Sequence, residues 1–271
     1  VAGESYRKVR STVRFMLSNL YDFDPAKDAV PVAQIAPTSL EAWLLGEFDA
    51  LSAKVQAAYG EYDFQAVHKR VFDFCNDTLS AVYLAAAKDR LYCDKPDSAR
   101  RRRSQTAMHM VTDGLCRLLA PVLGHTADEA YRALHRIEGD GCVHLETFAK
   151  PSGVTPDKAW PAVFAAREAG LLALEKAKGT KENPSGKENP LDTEVVLPDG
   201  EGVLGKFDAT DLADLLGASR VSFDASAKAG RVVDLRDQPR CERSWKRTPD
   251  VRERSDGGVL SDRDAEAVGV A

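Results

Sequence analysis

Residues 5–25 read Ser5-Tyr6-Arg7-Lys8-Val9-Arg10-Ser11-Thr12-Val13-Arg14-Phe15-Met16-Leu17-Ser18-Asn19-Leu20-Tyr21-Asp22-Phe23-Asp24-Pro25. Tyr6, Val9, Val13, Met16 and Leu20 recur every three or four residues, the stripe of a helix that buries one face. Arg7, Arg10 and Arg14 form a second stripe, about 100° round the helix from the first. Pro25 ends the pattern, because the residue before a proline is pushed out of the helical region. The reading is a helix over residues 5–20 with an apolar face and a basic flank.

The same periodicity continues outward from this stretch. Thr38-Ser39-Leu40-Glu41 has capping-box spacing and opens a helix to about Tyr59. Helical patterns follow over 62–74 and 77–91, then from Asp97 or Ser98 to about Leu123. Thr126-Ala127-Asp128-Glu129 repeats the capping-box pattern for a short helix to His135. Cys142–Leu145 predicts a brief strand, residues 151–160 a proline-containing linker, and Ala162–Lys178 a further helix. Lys181-Glu182-Asn183-Pro184 recurs as Lys187-Glu188-Asn189-Pro190, and the surrounding Gly, Ser and Pro predict an exposed, mobile loop. Glu194–Leu197, Arg220–Asp224 and Arg231–Leu235 alternate like strands, with a short helix over Thr210–Leu216. From Arg240 the chain is polar and reads as loop. The expected fold is mainly α. A helical bundle spans 1–150, a linker helix and mobile loop 151–190, a small α/β module 191–239, and a loop-rich tail 240–271.

The 271 residues are 44% hydrophobic and 29% charged, a composition that folds around a core. No apolar run approaches the roughly 18 residues that span a bilayer, and no secretory leader is recognisable, so the expectation is a cytoplasmic chain with no membrane partner. The first residue is Val1, which predicts a piece of a longer protein. Cys75, Cys93, Cys116, Cys142 and Cys241 are odd in number and widely spread, which argues against a disulfide framework. The first four read as small buried thiols.

Two glycine motifs mimic nucleotide sites. Gly200-Glu201-Gly202-Val203-Leu204-Gly205 follows a predicted strand, but no helix opens there to receive a pyrophosphate, and Pro198-Asp199-Gly200 reads as a turn. Gly179 and Gly186-Lys187 are too far apart for a phosphate loop, and Glu188 stands where Ser or Thr would hold magnesium. The five His are scattered singly, and no catalytic constellation appears.

The basic segments carry more. Residues 4–20 hold Arg7, Lys8, Arg10 and Arg14 against Glu4 alone. Residues 95–117 hold Lys95, Arg100, Arg101, Arg102, Arg103 and Arg117 against Asp97 and Asp113. The run Arg100–Arg103 sits in the first turns of its helix, where each cation opposes the macrodipole by roughly 0.3–1 kcal/mol. A bound phosphate would offset that, and so would ion pairs with nearby acids. In the tail, a C-x2-C-x16-C-x2-C zinc spacing would place cysteines at 241, 244, 261 and 264. Those positions hold Cys241, Ser244, Ser261 and Asp264, and no bound zinc is expected.

Together these residues resemble the C-terminal part of bacterial isoleucyl-tRNA synthetases. Residues 5–25 are similar to that family's Y-R-K-[IV]-R-N-T-x-R-F-[LM]-L-x-N-L-x-D-F-x-P segment. Lys88-Asp89-Arg90-Leu91-Tyr92-Cys93 resembles its K-D-R-L-Y-C stretch. Leu118-Leu119-Ala120-Pro121, Thr126-Ala127-Asp128-Glu129 and Cys142-Val143-His144-Leu145 follow in family order. Cys241-Glu242-Arg243-Ser244-Trp245 resembles C-E-R-C-W, the start of the family's zinc knuckle. The resemblance implies an anticodon-binding helical bundle, a small junction domain and the remnant of a zinc domain. It implies tRNA as partner, the isoleucine acceptor, held by Arg7, Lys8, Arg10, Arg14, Arg100, Arg101, Arg102, Arg103 and Trp245. It further implies a monomer that works beside an upstream catalytic domain of the same polypeptide. The His-x-Gly-His and Lys-Met-Ser-Lys-Ser signatures of that domain are absent here. ATP and magnesium would belong to it, and this chain alone would be inactive. The alternative is a free-standing RNA-binding or protein-interaction module derived from a synthetase.

Overall fold

The computed structural model describes residues 2–178 and 189–270. The expected mobile loop with its Lys-Glu-Asn-Pro repeat lies almost wholly outside the described residues. The chain is mainly α and divides into two compact units, Val1–Leu84 with Ala99–Thr155, and Ala85–Ser98 with Pro156–Ala271. Residues 85–98, which the periodicity assigns to the bundle, thus group with the C-terminal half.

In the first unit, α1 (Ala2–Ser18) buries Val9, Val13 and Met16 of the stripe read from the sequence, while Tyr6 at its head stays 38% exposed. A short α2 (Pro25–Asp28) follows, with Asp24 capping it. Helix α3 (Leu40–Gly60) is capped by Ser39, whose hydroxyl accepts from the Ala42 amide at 3.2 Å. The cap therefore falls one residue later than the Thr38-to-Glu41 box predicted. Glu41 is freed from a capping role and lies fully buried. Helix α4 (Phe64–Asp73) runs into a π-helical stretch, Phe74–Tyr83, and then into α5 (Leu84–Cys93). The two helices expected over 62–74 and 77–91 are therefore joined without a break, through a local widening of the helix.

Helix α6 (Ala99–Leu119) is the pillar of this unit, with Met108, Val111 and Leu115 fully buried. A Cβ on Gly114 would stand 2.3 Å from Cζ of Phe48, so the glycine is what lets α3 and α6 approach. Helix α7 (Gly124–His135) begins two residues before Thr126 and has no side-chain cap. The predicted box is again displaced. Thr126 meets the Tyr6 hydroxyl at 3.0 Å, and the Asp128 carboxylate accepts from the Val143 amide at 2.9 Å. The brief strand expected at Cys142–Leu145 is a 3-10 turn, Val143–Leu145, since among the described residues no neighbouring strand offers it a ladder.

In the second unit, α8 (Trp160–Ala177) lies against a three-stranded sheet. Strand β1 (Thr193–Pro198) pairs in parallel with β2 (Arg220–Asp224) and antiparallel with β3 (Arg231–Asp234). Helix α9 (Ala209–Leu216) makes the crossover that a parallel pair requires. Gly170 gives α8 its close seat: a Cβ there would be 2.8 Å from Leu216 and 3.2 Å from Leu197.

The tail corrects the loop expected beyond Arg240. Strands β4 (Arg252–Glu253) and β5 (Val259–Leu260) form a hairpin, followed by α10 (Asp262–Val268). Cys241, Val251, Leu260 and Ala265 make its small core. These four core residues are spread at irregular intervals through a polar segment and leave no periodic signal, which is why the sequence reads as loop. No helix among the described residues is long and apolar enough to cross a membrane.

Candidate nucleic-acid interface

The packed face of α1 fixes where its basic flank must go. With Val9, Val13 and Met16 inward, Arg7, Arg10 and Arg14 stand exposed on one side. Lys8 is half-buried. Helices α1 and α7 run side by side in the same direction: Tyr6 meets Thr126, Arg10 meets Glu129, and the C-terminal end of α7 reaches Tyr21. The cleft between them is lined by Arg10, Arg14, Leu17, Thr126, Glu129 and Ala133.

The three arginines are not equivalent. Arg10 donates to both oxygens of Glu129, at 2.6 and 3.1 Å. That hydrogen-bonded pair raises the Arg10 pKa and lowers that of Glu129. Arg7 and Arg14 make no ion pair among the described residues, so their charges face solvent. The fold adds two residues that the sequence reading missed. Arg136 ends α7 in a left-handed conformation, φ 54°, and donates to the carbonyls of Tyr21 and Phe23 at 3.3 and 3.4 Å. Tyr21 itself is 74% exposed. Cations beside an exposed ring are what an RNA loop requires, since phosphates take charge and unpaired bases stack on aromatics. Nothing in the spacing of Arg136 signals this, because the contact joins residues more than a hundred positions apart.

The second basic cluster is turned the other way. Arg101 is 4% exposed and donates to both oxygens of Asp22, at 2.6 and 3.1 Å. Arg102 donates to the Asp22 carbonyl at 3.0 Å and lies 3.6 Å from Asp28. Arg103 donates from Nε to the buried Glu41 at 2.8 Å, and the Ser104 hydroxyl donates to the same carboxylate at 2.6 Å. Burial alone would push the Asp22 pKa up, yet the hydrogen bonds from Arg101 and Gln105 hold it below the usual carboxylate range. Arg101, Arg102 and Arg103 thus make the ion pairs with acids of the same unit that the sequence left open beside a phosphate contact. Arg100, at the head of the run, is half-buried.

In the second unit, the turn Cys241–Lys246 carries Trp245 at its tip. The Trp245 amide donates to the Cys241 carbonyl and the Cys241 amide to the Lys246 carbonyl, both at 2.9 Å. Trp245 adopts φ 63°, an outlier for a bulky side chain that the turn imposes. Its ring is 54% exposed, with the Arg240 guanidinium 5.3 Å from the centroid, so one face rests on a cation and the side chain remains open to a base. The four knuckle positions converge beneath it. Oδ2 of Asp264 accepts from Cys241 Sγ at 3.1 Å, from Ser244 Oγ at 2.7 Å and from Ser261 Oγ at 2.7 Å. Burial would raise the Asp264 pKa, but the Ser244 hydrogen bond, the Arg263 charge and the Ser261 and Cys241 hydrogen bonds hold it low.

The other candidates resolve simply. Asp199 receives the amides of Val203, Leu204 and Gly205 on its own carboxylate, at 2.8 to 3.1 Å, so the glycine motif is filled by a side chain of the same turn. Cys75 and Cys116 are buried thiols whose pKa burial pushes up to about 12, and Cys93 is pushed up to about 11. Among the described residues no group of His, Cys, Asp or Glu is arranged to hold a metal ion.

Comparison with known proteins gives a consistent reading. The family described as the anticodon-binding domain of tRNA ligase matches residues 41–196. An isoleucine–tRNA ligase of Geobacillus thermodenitrificans is 38% identical over 266 residues, covering 92% of this chain and 28% of the relative. That of Desulfotalea psychrophila is 35% identical over 272 residues, with the same 92% and 28% coverage. That of Desulforamulus reducens is 35% identical over 283 residues, 98% of this chain and 30% of the relative. The chain thus spans less than a third of the length of these relatives.

Proposed function

The chain belongs to the family of tRNA-ligase anticodon-binding domains, and from that membership we propose that it binds the anticodon stem-loop of a tRNA, specifically the isoleucine acceptor. In this reading it supports ATP- and magnesium-dependent attachment of isoleucine by a catalytic domain outside these residues, in the cytoplasm and as a monomer. The observation that carries the reading is the exposed stripe of Arg7, Arg10 and Arg14, continued by Tyr21 and Arg136 along α1 and α7. The apolar face of α1 anchors this row, so its charges are displayed on a rigid element.

The division of labour follows from the chemistry. Arg7, Arg14 and Arg136, with Arg10 once it exchanges Glu129 for a phosphate, supply affinity that salt weakens, because each contact releases counterions. Tyr21 and Trp245 offer faces for unpaired bases, and discrimination rests on such base contacts. A titration of the purified chain with an isoleucine acceptor and a valine acceptor, at low and physiological salt, tests this. Preference for the isoleucine acceptor that survives added salt is the expected result. Equal, weak binding that vanishes with salt would sink the anticodon reading.

A further inference from the structure

The positions that a zinc knuckle would give to four cysteines meet at one point in this fold, and the atom at that point is a carboxylate oxygen. Cys241 and Ser244 come from the turn under Trp245, and Ser261 and Asp264 from the start of α10. Ser261 caps the helix through the Asp264 amide at 3.2 Å, and Asp264 reaches back to the Ser261 hydroxyl, as a capping box does. The same oxygen then extends to Ser244 and Cys241, so one side chain ties the helix to the turn. Arg263 donates to both oxygens, at 3.2 Å to Oδ2 and 3.4 Å to Oδ1, and Arg243 lies 3.7 Å from Oδ1. Asp264 and Cys241 are both fully buried.

This donor set does not fit zinc. The metal needs lone pairs from thiolates or imidazoles in a tetrahedron, with Zn–S near 2.3 Å. Here two positions offer neutral hydroxyls, and the fourth ligand's own oxygen lies within hydrogen-bond distance of the other three. Ion and carboxylate would compete for one volume. We propose that the tail, residues 240–270, is a metal-independent knuckle in which the buried Asp264 carboxylate takes the place of the zinc ion. The polarity of the site is inverted. Three X–H groups point at an anion, where a metal knuckle points three or four lone pairs at a cation, and the turn that displays Trp245 is held by the same geometry.

The test needs no knowledge of the RNA. The whole chain is purified without chelator, its zinc content is measured, and alkylation of each cysteine is followed by peptide mass spectrometry with and without a strong zinc chelator. The expected result is far less than one zinc per chain and a Cys241 that stays as protected as Cys75 in both conditions. Stoichiometric zinc, with Cys241 exposed on chelation, would overturn the proposal. Asp264→Asn replaces an acceptor oxygen by a donor and should speed Cys241 alkylation at least about tenfold, the scale of losing hydrogen bonds to a charged group. Cys75, in the other unit, reports whether the rest of the chain stays folded. Unchanged Cys241 protection in this variant would equally overturn the proposal. The converse variant, Ser244→Cys with Ser261→Cys and Asp264→Cys, should gain one tightly held zinc. Failure to bind would show that the four positions do not form a knuckle.

Discussion

Arg7, Arg10 and Arg14 on α1 and Arg101, Arg102 and Arg103 on α6 are two clusters of the same residue type in the same unit, and the fold treats them oppositely. On α1 the spacing of three and four keeps all three on one flank, beside an apolar stripe that sinks into the core. On α6 the arginines are consecutive, so they fan around the helix at about 100° each. No single face can hold them: Arg101 pairs with Asp22, Arg102 lies between Asp22 and Asp28, and Arg103 pairs with Glu41. Spacing relative to the buried face, more than density of charge, thus decides whether a basic run faces solvent or the interior.

The largest effect is expected at Arg103. Arg103→Ala removes the Nε donor and its charge from the fully buried Glu41 carboxylate, which should cost about 3 kcal/mol, the lower end for breaking a buried pair. Denaturant unfolding measures the loss, and tRNA affinity of the folded fraction should not change. If affinity falls while stability holds, Arg103 belongs with the α1 row. The opposite pattern is expected on α1. Arg7→Ala combined with Arg14→Ala should leave stability within about 0.5 kcal/mol. It should also lower tRNA affinity severalfold and flatten the slope of log affinity against log salt by roughly 0.7–0.9 per lost phosphate contact. An unchanged slope would remove the row from the interface. Smaller still is the effect of releasing Arg10: Glu129→Gln should raise tRNA affinity by about threefold or less, given how little exposed pairs contribute.

Acid sharpens the contrast last. Farther along α6, burial and the neighbouring His135 lower the pKa of His109 from the ordinary 6.5, favouring its neutral form in the folded state. Asp113 is pushed up by burial but held low, on balance, by hydrogen bonds from His135 and Arg117. Both shifts have the same sign of consequence: stability is intact above the unfolded pKa and is lost as pH falls through the folded one. The first unit should therefore weaken modestly from about pH 6.5 downward, as denaturation midpoints at pH 7 and 5 would show, and His109→Leu should reduce that loss. Arginine stays charged throughout this range, so the α1 row should not add to it.

Much of this was legible from residues alone. The helix of residues 5–20, its buried stripe, its basic flank and the three strands of the small sheet follow from periods of 3.6 and 2, which are local properties of the backbone. The zinc spacing located four positions that do converge. The capping boxes were misplaced by one or two residues, because a serine or threonine can serve several nearby amides and tertiary partners choose among them. Glu41, Thr126 and Glu129 went to Arg103, Tyr6 and Arg10 instead.

What the sequence determined, then, was which side of each helix would be apolar and where basic residues were concentrated. The partner of each polar side chain was set by the folded chain. It drew Arg101 to Asp22 and Arg136 to Tyr21, and it buried Arg90 against Asp211 and Asp214, so that residues 85–98 group with the C-terminal half. It gathered Cys241, Ser244 and Ser261 on Asp264 as well. Hydrophobic patterning is periodic and can be read from neighbours three or four residues away. A buried charge is satisfied by whichever opposite group the folded chain brings near, often across a hundred residues.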